Sequence, residues 1–265
     1  MENAQTSTLG ARLADAVRPA VENCLFFRML DSTQSCALRL IEQAEEEEIA
    51  LPTTLIVAGH QENGRGRADR RWQSPPGGLY LSWVVSEVDR KVVAKLPMIA
   101  AAAAVEAVIS IGIDEVAIKW PNDLLADGRK LAGLLVNSRH GASTWAAVGF
   151  GINLTRTPPI PAGSLTEAIS VADLLSPPDA VGWAEGLAGT FVAELAAGIA
   201  RPAAKVGLWR KRLVHREGDP MTVRLGDASE LRGRFSGLTD DGHLRLDLDG
   251  SERVISAGDV VEWAE

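Results

Sequence analysis

Apolar and polar positions recur along the chain in patterns that predict its elements one after another. Leu9, Leu13 and Val17 stand four residues apart, which predicts one or two turns of weakly amphipathic helix ended by Pro19. Residues 25–30 read as a strand, and Asp31, Ser32 and Thr33 then offer N-cap oxygens to a helix running towards the glutamates at 45–48. That acidic block reads as a solvated helix end, because metal ligands would have to share one face. Residues 55–58 and 79–85 are apolar enough for strands. Residues 96–109, rich in alanine with Pro97 in the first turn, form the clearest helix in the pattern. In the strand predicted at 116–119, alternation puts Val116 and Ile118 on one face and Lys119 on the other. Residues 130–137 and 145–150 are two more strands about a turn at His140-Gly141. Beyond Asn153 the prolines 158, 159 and 161 interrupt the pattern, and residues 180–213 are helical. From Pro220 onwards short strands alternate with turns, the clearest at Asp249-Gly250, and make a small β-barrel. Strands and helices follow no strict βαβ order, so the fold class is α+β with a mixed sheet.

Composition narrows the classes of protein. The 265 residues carry Lys+Arg 27 against Asp+Glu 35, a net charge of −8, which does not suggest a nucleic-acid binder. With 46% hydrophobic and 23% charged residues the chain can build a core. Cys24 and Cys36 form no C-x-x-C pair, which fits a reducing compartment. No basic stretch precedes an apolar run near the N-terminus, and the apolar run at 98–105 is stopped by Glu106, well short of the ~20 residues of a bilayer span. The expectation is a soluble, cytoplasmic protein that engages neither membrane nor DNA.

Three segments carry chemistry. Gly64-Arg65-Gly66-Arg67-Ala68-Asp69-Arg70-Arg71-Trp72 joins guanidinium forks suited to phosphate or carboxylate with glycines that let backbone approach a ligand. It lacks the G-x-G-x-x-G pattern of a dinucleotide site. Lys119-Trp120-Pro121-Asn122-Asp123 leads into Lys130-Leu131-Ala132-Gly133, and Asp31-Ser32-Thr33-Gln34 precedes both. Taken singly, each has a plain reading: a solvated basic loop, a strand-end lysine before a turn, and a helix cap.

In this order, the segments resemble the biotin protein ligases. The resemblance rests on Ser32-Thr33, on Gln61 ahead of Gly64-Arg65-Gly66-Arg67, and on Trp72-Gln73-Ser74-Pro75 with Gly77-Gly78-Leu79. It continues through the 119–123 and 130–133 segments to Gly149-Phe150-Gly151-Ile152-Asn153, and the β-rich tail resembles the family's terminal barrel. It implies a mixed-sheet catalytic domain of the class II aminoacyl-tRNA synthetase and biotin ligase kind over 25–215, a small β-barrel over 216–265, and an N-terminal extension over 1–24. It further implies that biotin reacts with ATP to give biotinyl-5′-adenylate, and that a lysine of a biotin carboxyl carrier protein, from acetyl-CoA carboxylase or a related carboxylase, then accepts the biotin. Lys119 and Arg67 are the implied catalytic residues. Ser32, Thr33, Gln34, Gln61, Arg65 and Gly66 join them in holding biotin, and Arg70, Trp72, Asn122, Lys130, Gly133 and Asn153 are the implied nucleotide contacts. Mg²⁺ is implied by the triphosphate and not by any ligand cluster. A homodimer is compatible with the resemblance.

Three other readings compete with this one, and the second of them is rejected. A lipoate or octanoate ligase or transferase of the same superfamily is disfavoured by the Gly-Arg-Gly-Arg and Lys-Trp-Pro-Asn-Asp segments. A DNA-binding repressor would need more than the twenty-four residues ahead of the first strand. A biotin-binding module without catalysis would release no pyrophosphate. Two departures from the commoner family pattern stand out: Gln34 where Asn is usual, and Ala68-Asp69 where Arg-Gly is frequent. Asp69 sets a carboxylate beside the position implied for the adenylate phosphate, and like charges ~6 Å apart in partly screened surroundings repel by ~1–3 kcal/mol. Asp69→Gly is therefore expected to slow release of biotinyl-adenylate in stopped-flow measurements, with little change in biotin affinity; equal or faster release would contradict this.

Overall fold

Two β-sheets of different make-up share one hydrophobic core. The computed structural model describes residues 2–68, 70–140, 143–159 and 166–263, with side chains from Gly10 onwards. Asp69, Gly141 and Pro161, which figure in the sequence reading, lie outside the described residues. The chain opens with α1 (Glu2–Val17), β1 (Asn23–Phe27), α2 (Thr33–Glu46), β2 (Thr54–Ala58) and β3 (Gly78–Val85). Then come α3 (Arg90–Val93), α4 (Leu96–Ser110) and the strands β4 (Val116–Lys119), β5 (Asp123–Ala126), β6 (Arg129–His140) and β7 (Thr144–Asn153). Helices α5 (Val171–Leu174), α6 (Ala180–Ala200) and α7 (Pro202–Lys211) precede β8 (Pro220–Arg224), β9 (Glu230–Leu238), β10 (Leu244–Leu248), β11 (Ser251–Ile255) and β12 (Asp259–Trp263).

Among the described residues the first sheet has seven strands in the order β1-β2-β3-β7-β6-β5-β4. Only β1 and β2 run parallel. The second has five antiparallel strands in the order β11-β10-β9-β8-β12. The mixed α+β class expected from the sequence is the one observed.

Alternation along the strands decides what each face of the large sheet meets. Leu79, Leu81 and Trp83 of β3 and Val148, Phe150 and Ile152 of β7 point into the main core. There α4 lies as a wholly apolar helix, with Ile99 to Val105 at 0% exposure. A helix apolar on every side must be covered on every side: α6 and α7 pack against it, and α1 packs on α6. The opposite face of the sheet takes Ala37, Ile41 and Ala44 of α2 against Ile56, Val84 and Ala147. The second sheet docks onto this assembly rather than standing apart. Met221, Val223, Phe235, Leu244 and Leu246 belong to the same core cluster, and Trp120 Nε1 donates to Gly242 O at 3.0 Å.

Several elements differ from the pattern's forecast. The N-terminal turns are one sixteen-residue helix whose Leu13 and Val17 are fully buried; tertiary docking supplies what three spaced apolar residues could not signal. The segment after the Pro121-Asn122 turn continues as β5, which closes onto β6 through Asp127-Gly128. Both of these turn residues have positive φ, 51° and 68°, as a tight hairpin turn requires. The helix expected over 180–213 is two helices, because Pro202 cannot continue the first and instead opens the second. The short helices α3 and α5 were not foreseen. Among the described residues no helix is long and apolar enough to cross a membrane.

Leu13 tests whether α1 belongs to the core. Leu13→Ala in the full chain is expected to cost about 3 kcal/mol of stability by urea denaturation; a loss below about 0.5 kcal/mol, typical of a surface site, would contradict the packing.

Candidate active site

Strand register gathers the site. One continuous row of paired residues crosses five strands: Lys119, Asp123, Gly133, Gly151 and Tyr80. The next row on the same face of the sheet brings Leu135, Gly149 and Ser82 together. Over these rows lies a cavity of about 360 Å³, within the range of small-molecule sites. Of the residues implied by the sequence, Ser32, Thr33, Gln34, Gln61, Arg65, Gly66, Arg67, Arg70, Trp72, Asn122, Lys130, Gly133 and Asn153 all line it. Lys119 does not.

The glycines of β7 form the cavity's floor. A Cβ at Gly149 would stand 2.7 Å from Gln34 Oε1, and one at Gly151 would stand 2.6 Å from Trp72 Nε1. Two residues along a strand span ~7 Å, so the Gln34 end and the Trp72 end are separated by about that much.

The Gln34 end is neutral and hydrogen-bonded. Ser32 caps α2 through its Oγ and Ser35 N–H, which brings Thr33 to the start of the helix. Gln61 Oε1 accepts from Thr33 N at 2.8 Å, and Gln61 Nε2 donates to Ser74 Oγ at 2.8 Å. Ser82 Oγ lies 2.9 Å from Thr33 Oγ1 and 2.8 Å from Gln34 Oε1. Gln34 spends both amide hydrogens on Asn137 Oδ1 and Ala147 O, so it braces β6 and β7 as well as lining the cavity. Asn122 and Asn153 are braced in the same manner, donating to Leu134 O and Ile169 O.

The other end is cationic. The arginine loop is a short hairpin: Gly66 N–H donates to Arg70 O, and Trp72 N–H to Gly64 O. Gly64 sits so close to the strand opposite that a Cβ would meet Trp72 O at 2.5 Å. The hairpin is fastened to the second sheet. Arg70 Nη2 pairs with Asp259 Oδ1 at 2.6 Å, while Arg67 Nη1 donates to Gly258 O at 3.3 Å and lies 4.0 Å from Asp259. Burial pushes the Arg67 guanidinium below its usual range, with Asp259 acting in the opposite direction. Lys130 pairs with Asp123 at 2.8 Å and stands 5.2 Å from the centre of the Trp72 ring. The indole N–H of Trp72 is buried and has no partner among the described residues.

Lys119 sits at the far end of its row, three strand steps or ~14 Å from Gly151. It is buried at 8% exposure, with its Nζ 4.6 Å from the centre of the Trp263 ring. Burial lowers its pKa, while Asp123 and Asp259 hold it up. Asp69 lies outside the described residues, so its implied place in the loop is untouched by this geometry.

Several lining or neighbouring residues escaped the sequence reading. Ser82 left a signal, a lone hydroxyl inside an apolar strand. Arg224, Asp259, Trp263 and His215 left none, because they reach the site from the second sheet and its approach segment. Arg224 lines the cavity from β8, beside Asp259 on β12. Among the described residues no cluster of three or more His, Cys, Asp and Glu could hold a metal ion.

A neutral hydrogen-bonding end and a cationic end in one cleft suit an elongated substrate with a polar head and an anionic reacting group. The comparisons agree with that class of acyl-activating protein. The family model for the Biotin/lipoate A/B protein ligase family matches residues 26–153, and that for the Biotin protein ligase C terminal domain matches residues 218–262. A Biotin--[acetyl-CoA-carboxylase] ligase of Mycobacterium tuberculosis is 33% identical, over 78% of this chain and 78% of that protein. Its counterpart from Paracoccus denitrificans is 32% identical over 87% of this chain and 96% of that one. The chain belongs to the biotin protein ligase family. Its fold is that of the biotin protein ligase from Aquifex aeolicus solved with biotin and ATP, at a TM-score of 0.68 and 23% identity over 90% of this chain and 97% of that one.

The fastening of the loop can be read by protease. Asp259→Ala should speed tryptic cleavage after Arg67 and Arg70 several-fold, as the ion pair that holds the hairpin is removed; an unchanged cleavage rate would show that Asp259 does not hold it.

Proposed function

We propose that this protein attaches biotin to a lysine of a biotin carboxyl carrier protein or domain, through biotinyl-5′-adenylate. In the first step a biotin carboxylate oxygen attacks the α-phosphorus of ATP. A P–O bond forms, the bond to the leaving pyrophosphate breaks, and the mixed anhydride results. In the second, the acceptor's neutral ε-amine attacks the acyl carbon, a C–N bond forms, the C–O bond to phosphate breaks with AMP taking the bonding pair, and the proton lost from nitrogen passes to solvent. The single observation that carries this reading is the two-ended cleft: a neutral hydrogen-bonding pocket at one end and, at the other, cations brought together from the arginine loop, β6 and β8.

The neutral end suits the ureido head of biotin, whose N–H and C=O groups would each cost ~1–3 kcal/mol if buried unpaired. Ser32, Thr33, Gln34 and Gln61, with Ser82 beside them, supply hydroxyl and amide oxygens, and Gln61 keeps one amide hydrogen beyond the one given to Ser74. Arg65, Gly66 and Arg67 close over the tail of biotin. Arg67 and Lys119 stabilise the charge that builds between carboxylate and phosphate, as preorganised cations do at a reacting anion. Arg70, Trp72, Asn122, Lys130, Gly133 and Asn153 take the nucleotide, Trp72 by its ring and its free N–H. The hairpin excludes water from the anhydride until the acceptor amine arrives. Mg²⁺ enters with ATP as part of the substrate, and no protein ligand set is assigned to it. Residues 25–215 form the catalytic unit and 216–265 the barrel that completes it, and the acceptor belongs to acetyl-CoA carboxylase or a related carboxylase. The protein acts in the cytoplasm and does not bind DNA.

The polar end also separates biotin from lipoate and octanoate, whose apolar ends would leave Thr33, Gln34 and Ser82 facing a group with no hydrogen-bonding capacity. Pyrophosphate release from ATP should depend on biotin and not on octanoate or lipoate; release with the fatty acids alone would overturn the assignment. Lys119→Ala should retain the fold and lower biotin-dependent release by ~10²–10³-fold, and near wild-type turnover would remove Lys119 from the reaction.

A further inference from the structure

Lys119 is buried beside the cavity yet absent from its lining, and its amine needs something that aims it. The two carboxylates that face it are already engaged, Asp123 by Lys130 at 2.8 Å and Asp259 by Arg70 at 2.6 Å. Its close contact is an aromatic face: Nζ lies 4.6 Å from the centre of the Trp263 ring. We propose that Trp263, on the last strand of the second sheet, is a positioning residue that holds the Lys119 ammonium for the adenylation step. The proposal rests on the reading above that Lys119 acts in that step.

Trp263 is itself fixed from two sides. Its backbone pairs with Met221 across β8. Its ring meets the His215 ring edge-on, at 5.9 Å between centroids and 88° between planes. His215 is 3% exposed, packs on Phe235 as well, and accepts the backbone N–H of Trp120 through Nε2 at 3.2 Å. The residue that follows Lys119 is thus tied to the same aromatic stack that carries the lysine's amine. The resulting frame holds both ends of a flexible side chain.

An aromatic face suits this task better than a carboxylate would. An ion pair would spend ammonium hydrogens and charge on a protein anion. The π face attracts the cation through its quadrupole and leaves the N–H donors directed elsewhere, available to an incoming carboxylate or phosphate. The ring also covers the amine from water, which strengthens its field at the reacting group.

The test compares Trp263→Leu, which keeps apolar bulk but removes the π face, with Trp263→Phe, which retains a face. Both are made in the full chain, with thermal melts to confirm folding. In biotin-dependent pyrophosphate release, Trp263→Leu should lower kcat about tenfold, the scale of one cation–π contact. KM for biotin and for ATP should change little, and Trp263→Phe should recover most of the loss. A second readout needs no activity: acylation of Lys119 by a water-soluble N-hydroxysuccinimide ester, followed by mass spectrometry, should be faster in Trp263→Leu and close to wild type in Trp263→Phe. Wild-type kcat in Trp263→Leu, a Phe variant as impaired as the Leu variant, or unchanged labelling of Lys119 would each overturn the proposal. Full activity in Lys119→Ala would overturn the underlying reading and the positioning role with it. An inactive Lys119→Ala beside a fully active Trp263→Leu would remove the positioning role alone.

Discussion

Cations crowded into one cleft repel each other, and two of them ~5 Å apart at an effective dielectric near 20 do so by about 3 kcal/mol. The site therefore depends on the carboxylates that offset this repulsion. Asp123 holds Lys130, and Asp259 holds Arg70 with Arg67 nearby. These two aspartates come from different sheets. The chain as a whole carries a net charge of −8, so the positive field is local and built by placement, not by composition. The ion pair between loop and second sheet is half exposed at Arg70, so it fastens the hairpin only weakly and stays exchangeable.

The large sheet contributes geometry as well as charge. Its antiparallel register sets Lys119, Asp123, Gly133, Gly151 and Tyr80 on one line, and the side chain missing at each glycine opens the floor of the cavity. The other face of the same strands is the core against α4. Along the end of β7 the side chains alternate: Val148, Phe150 and Ile152 belong to the main core, while Gly149, Gly151 and Asn153 line the cleft. Substituting either glycine would fill the floor, and shifting the strand by one residue would exchange core and site.

Much of this was legible in the sequence, for identifiable reasons. Residues 79–85 and 145–150 marked strands because they are apolar almost throughout, as strands buried on both faces are. The Ser32 cap and the Pro97 start marked helices because those residues satisfy or tolerate free N–H groups at a first turn. The basic loop and the Lys119–Asp123 segment, plain when taken singly, were visible as chemistry through the ordered set of segments that resembles the biotin protein ligases. What stayed hidden depends on contacts between distant segments. Nothing local marks Asp259 as the partner of Arg70, 189 residues away, or Trp263 as the surface under Lys119. The strand β5 was concealed by its own turn residues, and the length of α1 by the scarcity of apolar positions that only docking on α6 makes sufficient.

The central claim is that both sheets form one site, the second closing what the first lays out. Hydrogen–deuterium exchange of the full chain, with and without biotin plus ATP, reads this directly. The account predicts that exchange slows together in residues 64–72 of the hairpin and in residues 256–263 at the edge of the second sheet. Slowing confined to the hairpin, with residues 256–263 unchanged, would contradict it.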